Sequence, residues 1–247
     1  MRAIIGGSGL GQIPELRLTR REVVRTPFGD PSCALSFGML GDHEVVFLAR
    51  HGYGHTLAPH QINYRANLWA LHEVGADAIL SVATVGGIRE DLSPGQLVLP
   101  DQLIDYTFGR ASTFFEGPDN PVTHVDFTHP YDAGLRQQVL ASATAVGQKV
   151  FMGGTYGCTQ GPRLETAAEI RRMAQDGCDL VGMTGMPEAV LARELELPYA
   201  TLAVVANAAA GIGGSRQSIS MPEIRATLDE AMGRVCGILR AWLEGRR

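Results

Sequence analysis

Several absences narrow the class of this 247-residue chain before any motif is read. Cysteine is sparse: Cys33, Cys158, Cys178 and Cys236 stand far apart, with no CxxC spacing. That argues against a disulfide framework and a cysteine-based zinc site, and points to a reducing, cytoplasmic setting. The opening MRAIIGGSGLGQ carries one Arg and a short apolar stretch that breaks into glycines. It has the form of neither a signal peptide nor a membrane span. Basic charge is also short, with 21 Lys and Arg against 26 Asp and Glu and a net charge of −5. A nucleic-acid backbone or an anionic membrane is therefore not an expected partner. With no repeats, charge runs or linkers, residues 1–247 are expected to form a single domain.

What is present is an ordinary globular composition, 45% hydrophobic and 19% charged. Short apolar runs alternate with helix-periodic segments. Strands are expected at residues 3–5, around 22–25, 33–37 and 44–49, then at 77–84, 97–100, 103–104, 150–156, 179–182 and 199–206. Helices are expected after Pro59, with Ile62, Ala66, Trp69 and Ala70 on one face, and then at 134–146, up to 174, up to 196, and at 222–243. The alternation predicts an α/β fold, a three-layer α/β/α domain with a central mixed sheet. Residues 106–130 break the pattern: Phe108, Phe114, Phe115, Phe127 and His124 sit among Gly, Pro, Asn and Thr. A loop of that length with rings to bury is expected to be functional or an interface.

The most informative stretch is VFLARHGYGHTLAPHQINYRANLW, residues 46–69. An apolar strand ends in Arg50-His51-Gly52, with Gly54 and His55 close behind and a helix after Pro59. A planar guanidinium fork beside imidazoles on a strand-end loop suits an anion, phosphate above all. Three more expected strand ends carry hydroxyls: Ser8 in Gly6-Gly7-Ser8-Gly9, Thr84 before Gly86-Gly87, and Thr184 after Met183. A single Ser or Thr in such a place is more often a turn or cap residue. Four strand ends carrying phosphate-competent groups are harder to read that way. The first of these turns does not meet a dinucleotide fingerprint, because residues 7–11 read GxGxG and Pro14 interrupts any following helix.

Taken together, ARHGxxH, PHxINYRAN, VATVGGI, TQGPRLET and GMTGMPE resemble the purine nucleoside phosphorylase / methylthioadenosine phosphorylase family, in its trimeric branch. The resemblance runs from Ile5 to the last helix. It implies a phosphorylase-like fold, a homotrimer, and phosphorolysis of a purine nucleoside with inorganic phosphate as co-substrate. No cofactor and no metal are implied, and the sequence offers no ligand cluster for a metal. By resemblance, Ser8, Arg50, His51 and Thr184 bind phosphate with help from the Ala83-Thr84 turn, and Met183 lies beside the ribose hydroxyls. His55, His60 and Asn63 would order the phosphate loop, with helix capping as the competing account of His60 and Asn63.

Within the family, the base pocket distinguishes substrates. Enzymes for 6-oxopurines pair a Glu two residues after GP-x with an Asn at the end of a late strand. Adenine enzymes carry Ser and Asp there, with a further Asp two residues on. This chain has Glu165, Asn207 and Ala209. A carboxylate accepts the N1–H of hypoxanthine or guanine and faces a lone pair on adenine. Helix-dipole stabilisation is the alternative reading of Glu165, and a turn role that of Asn207.

At the 5′ end, residues 208–222 contain no His to bind a 5′-hydroxyl, and Ile219, Ser220 and Met221 stand near their end. An apolar lining favours a methylthio group. His124 of the long loop is expected either at a neighbouring subunit's 5′ pocket or simply on the surface. The combination implies 5′-methylthioinosine as substrate. Methylthioadenosine and ordinary 6-oxopurine nucleosides follow, and a Rossmann-type nucleotide binder or a water-using nucleosidase is the rival class. Two departures from the family pattern are Leu164, where a Phe usually meets the base, and Gln160, where a Glu is common.

Overall fold

The computed structural model describes residues 1–118 and 120–245. Eleven strands form one mixed sheet: β1 (Arg2–Gly6), β2 (Arg17–Glu22), β3 (Leu35–Leu40), β4 (His43–Ala49), β5 (Ala78–Gly87), β6 (Leu97–Leu99), β7 (Gln102–Asp105), β8 (Val150–Met152), β9 (Thr155–Cys158), β10 (Leu180–Gly182) and β11 (Tyr199–Ala208). Among the described residues five α-helices accompany it: α1 (Tyr64–Glu73), α2 (Ala133–Ala145), α3 (Ala167–Gln175), α4 (Gly185–Glu194) and α5 (Met221–Glu244). The expected three layers are present. Tyr64, Leu68 and Leu71 of α1 and Ala189, Leu191 and Ala192 of α4 fill one face of the sheet. Leu135, Val139 and Ala143 of α2 and the buried stripe Leu228, Val235, Leu239 and Trp242 of α5 fill the other. Among the described residues no helix is long and apolar enough to cross a membrane.

Strand β5 is the hub. It pairs in parallel with β1 and β11, and antiparallel with β10. Its pattern is apolar almost throughout because both faces are covered, as in parallel sheets generally. It also runs three residues past the expected end at Thr84, so Thr84 lies inside the strand. Strand β10 arrives from the opposite direction, with Val181 level with Gly86. Thr184 still follows a strand C-terminus, two residues past the end of β10, but on a strand antiparallel to β5, so of the four expected strand ends only Thr84 departs.

Other boundaries moved for local reasons. The second strand was expected around 22–25 and lies at Arg17–Glu22, where all six residues are exposed. An edge strand with neither face buried shows no alternation to read. The third strand was expected at 33–37 and lies at Leu35–Leu40. The run 150–156 is two strands, β8 and β9, separated by Gly153 and Gly154, both at positive φ. Between Asp105 and Ala133 the described residues form no helix or strand. Phe114 of this loop is buried against Phe28 and Trp69, with centroids 5.1 and 5.7 Å away, whereas Phe108 is 71% exposed.

Candidate active site

The parallel register of β1 and β4 sets Gly6 level with Ala49, so the Gly7–Ser8 turn and Arg50 leave the sheet side by side. Close approach is possible because residue 7 is glycine: a Cβ there would lie 2.6 Å from Arg50 Nη1 and 2.7 Å from the Val82 carbonyl oxygen. Thr84 Oγ1 donates to the Ser8 carbonyl at 2.9 Å, tying the turn to β5. Ser8, Arg50, His51, Thr84 and Thr184 all line one cleft of about 200 Å³.

Arg50 is 1% exposed and its fork is largely committed. Nε and Nη2 donate to the two carboxylate oxygens of Glu188 at 2.7 and 2.9 Å. Nη2 also donates to Ser81 Oγ at 2.5 Å, and Nη1 to the Val82 carbonyl at 3.1 Å. Four of five N–H donors are thus spent within the protein, leaving one on Nη1 for the cleft. Glu188 is fully buried and also accepts from Ser81 Oγ at 3.0 Å and Tyr199 Oη at 2.8 Å. Burial opposes the charge on Arg50, but Glu188 outweighs it and holds the guanidinium pKa above its ordinary value.

His51 lies beside this pair. Burial, followed by the Arg50 charge, lowers its pKa to about 4, so the ring is neutral at physiological pH. Its Nδ1 stands 2.8 Å from the Leu57 carbonyl oxygen. His55 stacks on it with centroids 4.2 Å apart, and the His55 Nε2 lies 3.5 Å from Ser8 Oγ. Burial and then Arg50 lower the His55 pKa as well.

The remaining walls come from later elements. Glu165 lies in the cleft just ahead of α3, where Thr159 Oγ1 donates to its Oε1 at 2.6 Å. That leaves the other carboxylate oxygen as an acceptor. Asn207 lies on β11 directly after a bulge: Val205 pairs with Val85, the register shifts, and Asn207 pairs with Gly86. A bulge re-aims the side chains that follow it, and here the Asn207 side chain lines the cleft. Its Nδ2 donates to the Ala208 carbonyl at 2.7 Å, which fixes the amide and leaves one N–H and Oδ1 free to serve a ligand. Apolar contacts come from Met183, Val181, Leu164 and Ala209, and from Ile219, Met221, Ile224 and Leu228 around the start of α5.

Eleven of the thirteen residues singled out from sequence therefore meet in one cleft: Ser8, Arg50, His51, Thr84, Leu164, Glu165, Met183, Thr184, Asn207, Ala209 and Met221. Ala83 is buried in the core beside it. His124 sits on the exposed loop and does not line the cleft of its own chain. Asn63 is a cap, its Oδ1 accepting from Ala66 N at 3.1 Å, and Ser220 caps α5. Gln160 fastens the long loop, accepting from Phe108 N and Arg110 Nε.

Sequence reasoning missed the role of Glu188, the counter-charge of Arg50, although a carboxylate between Met186-Pro187 and Ala189-Val190-Leu191 was a usable signal. It also missed Arg110. This arginine reaches from the loop to the Met183, Met186, Thr159 and Gln160 carbonyls, at 2.6 to 3.3 Å, clamping the segments that bear Met183 and Glu165. A lone Arg in an aperiodic loop gives no signal of that kind.

The sequence pattern of the Phosphorylase superfamily matches residues 1–244. The chain belongs to this family. It is 55% identical over 229 residues to a protein of Xanthomonas campestris pv. campestris named probable S-methyl-5′-thioinosine phosphorylase, covering 93% of this chain and 91% of that one. It is 48% identical over 219 residues to the 6-oxopurine nucleoside phosphorylase of Pyrococcus furiosus, covering 87% and 82%. Among solved structures, methylthioadenosine phosphorylase from Schistosoma mansoni in complex with adenine superposes with a TM-score of 0.93 at 31% identity, over 98% of this chain and 90% of that one. The phosphorylase-like fold and the family expected from sequence are both borne out.

Proposed function

We propose that this phosphorylase-family enzyme cleaves S-methyl-5′-thioinosine with inorganic phosphate, releasing hypoxanthine and 5-methylthioribose 1-phosphate. The carrying observation is one cleft that brings Ser8, Arg50, His51, Thr84 and Thr184 together with Glu165 and Asn207. Phosphate rests among Ser8, His51, Thr84, Thr184 and the free Nη1 donor of Arg50. A phosphate oxygen attacks the anomeric carbon while the bond to N9 breaks and its electrons pass into the purine. Positive charge grows on the sugar, and the bound anion beneath it provides stabilisation. The second oxygen of Glu165 accepts the N1–H of a 6-oxopurine. The free N–H of Asn207 donates to O6, and its Oδ1 accepts from N7–H once N7 has taken a proton from solvent, balanced by the proton that the new phosphate ester releases. Adenine offers no N1–H, so Glu165 would face its lone pair.

The 5′ preference rests on Ile219, Met221, Ile224 and Leu228, which suit a methylthio group better than a hydroxyl. The relatives named for methylthioinosine and 6-oxopurines support the same reading of the base pocket. Met183 borders the ribose in this reading. The chain works as a cytoplasmic homotrimer, and His124 serves a neighbouring subunit's 5′ pocket. Four unpaired cysteines and a cleft that His124 of the same chain does not reach are consistent with this.

Phosphate-dependent base release from methylthioinosine, methylthioadenosine and inosine in parallel tests the proposal. Methylthioinosine is expected to be used best. Preference for methylthioadenosine would overturn the base-pocket argument, and preference for inosine the 5′ argument. Turnover without phosphate would mean a nucleosidase.

A further inference from the structure

The hydrogen-bond partner of His51 determines which anion the cleft prefers. Leu57 offers a carbonyl oxygen 2.8 Å from Nδ1, and a carbonyl can only accept. In the neutral ring the proton therefore sits on Nδ1, and Nε2 presents a lone pair. Nε2 has no hydrogen bond among the described residues, while the ring lines the cleft. Beside the one free donor of Arg50 and the hydroxyls of Ser8 and Thr184, the site thus contains two acceptors, His51 Nε2 and Thr84 Oγ1, whose own proton goes to the Ser8 carbonyl; the hydroxyl can turn its proton toward a ligand, whereas the neutral ring cannot.

Resting on the phosphorylase reading above, we propose that His51 is a specificity-determining residue that selects an anion bringing its own proton. Hydrogen phosphate retains an O–H through neutral pH and donates it to Nε2. Whether the shared proton then sits on oxygen or on nitrogen, the ligand has supplied it. Sulfate, of nearly the same size and charge, has no O–H at these pH values. It would set an oxygen lone pair against the Nε2 lone pair unless the ring first takes a proton from solvent. The neighbours oppose that uptake: the Arg50 guanidinium is adjacent, Glu188 is already engaged by it, and His55 stacks 4.2 Å away. Buried polar groups left mismatched in this way support large discrimination between ligands of similar shape.

The test measures sulfate as a competitor of phosphate in methylthioinosine phosphorolysis, at pH 6, 7 and 8 and constant ionic strength. Sulfate must bind together with one proton, so its inhibition constant is expected to rise about tenfold per pH unit. The KM for phosphate, expressed as the hydrogen phosphate dianion, is expected to stay level. In His51→Gln the amide supplies an N–H without proton uptake, so the sulfate slope should vanish even if turnover falls. In His55→Asn the slope should persist, which separates the two rings. A sulfate constant that is independent of pH in the unaltered enzyme, or a slope lost with His55 instead, overturns the inference while phosphorolysis stands. Absence of phosphate-dependent release from all three nucleosides would overturn both readings.

Discussion

The two sides of the cleft are built differently. On the side proposed to hold phosphate, Arg50 and Glu188 are 1% and 0% exposed, and Ser81, Val82 and Tyr199 lock them in place. On the side proposed to hold the nucleoside, Leu164 and Met221 are 41% and 51% exposed and stand where connecting segments meet helices. The first side is held by the register of β1, β4 and β5, the second by the entries to α3 and α5. A step that depends on charge development needs donors that do not reorganise, and buried strand ends supply them. Choice among substrates needs only a few contacts, and these can change without disturbing the sheet.

The largest effect should follow from breaking the buried pair. Arg50→Ala strands the Glu188 carboxylate in the core and removes a phosphate donor, so a destabilisation of about 3–5 kcal/mol is expected. A loss in kcat/KM of roughly 10²–10³-fold from the missing donor is expected as well. Glu188→Gln keeps the volume but leaves the buried guanidinium without its counter-charge and turns an amide NH2 toward groups that all donate, so it should cost stability too and raise the KM for phosphate. Thermal denaturation and phosphate titration separate these outcomes. A Glu188→Gln enzyme with unaltered phosphate KM would show that the anion side does not depend on this lock.

Next in size is the base pocket. Asn207→Asp exchanges the amide donor for a carboxylate beside Glu165, so it should cost hypoxanthine release roughly 10²-fold or more. When protonated, the new acid can donate to N7 of adenine, and the ratio of methylthioadenosine to methylthioinosine turnover should rise. Parallel kcat/KM values for the two nucleosides give the answer. An unchanged ratio would mean that Asn207 does not contact the base.

The contrast between the two sides also explains what could be read from sequence. Apolar runs gave β4, β5 and β11, and strand-end Arg and His gave one wall of the cleft, because buried strands and their polar ends leave a local trace. The exposed β2 left none. The antiparallel approach of β10 was invisible too, since the direction of a three-residue strand is decided by tertiary pairing. Glu188 and Arg110 were missed for a related reason: their partners lie 138 and 73 residues away in the chain, at Arg50 and at the Met183 carbonyl. Glu165 and Asn207 were found through family resemblance, and only the structure revealed the bulge that brings Asn207 to the cleft.

A smaller change is expected at the 5′ wall. Met221→Ser removes apolar surface from a half-open position, so the preference for methylthioinosine over inosine should fall by about tenfold, the scale of one or two methylene contacts. Stability should hardly change, because the residue is exposed. If the preference is unaltered, Ile219, Ile224 and Leu228 make the pocket without it.

The smallest effect expected is on stability in acid. The His51 pKa is about 4 in the fold, against 6.5 for the free side chain. Between those values the unfolded chain binds more protons than the folded one, so stability rises with pH through the window and is fully present above about 6.5. On acidification the same contribution is lost, to a limit of about 3 kcal/mol near pH 4. Carboxylates titrate in the lower part of this window, so the informative quantity is a difference between proteins. His51→Gln has no ring to protonate, and its Tm should fall less between pH 7 and pH 5 than that of the unaltered enzyme. Equal falls in both proteins would mean that His51 is not held neutral by burial beside Arg50.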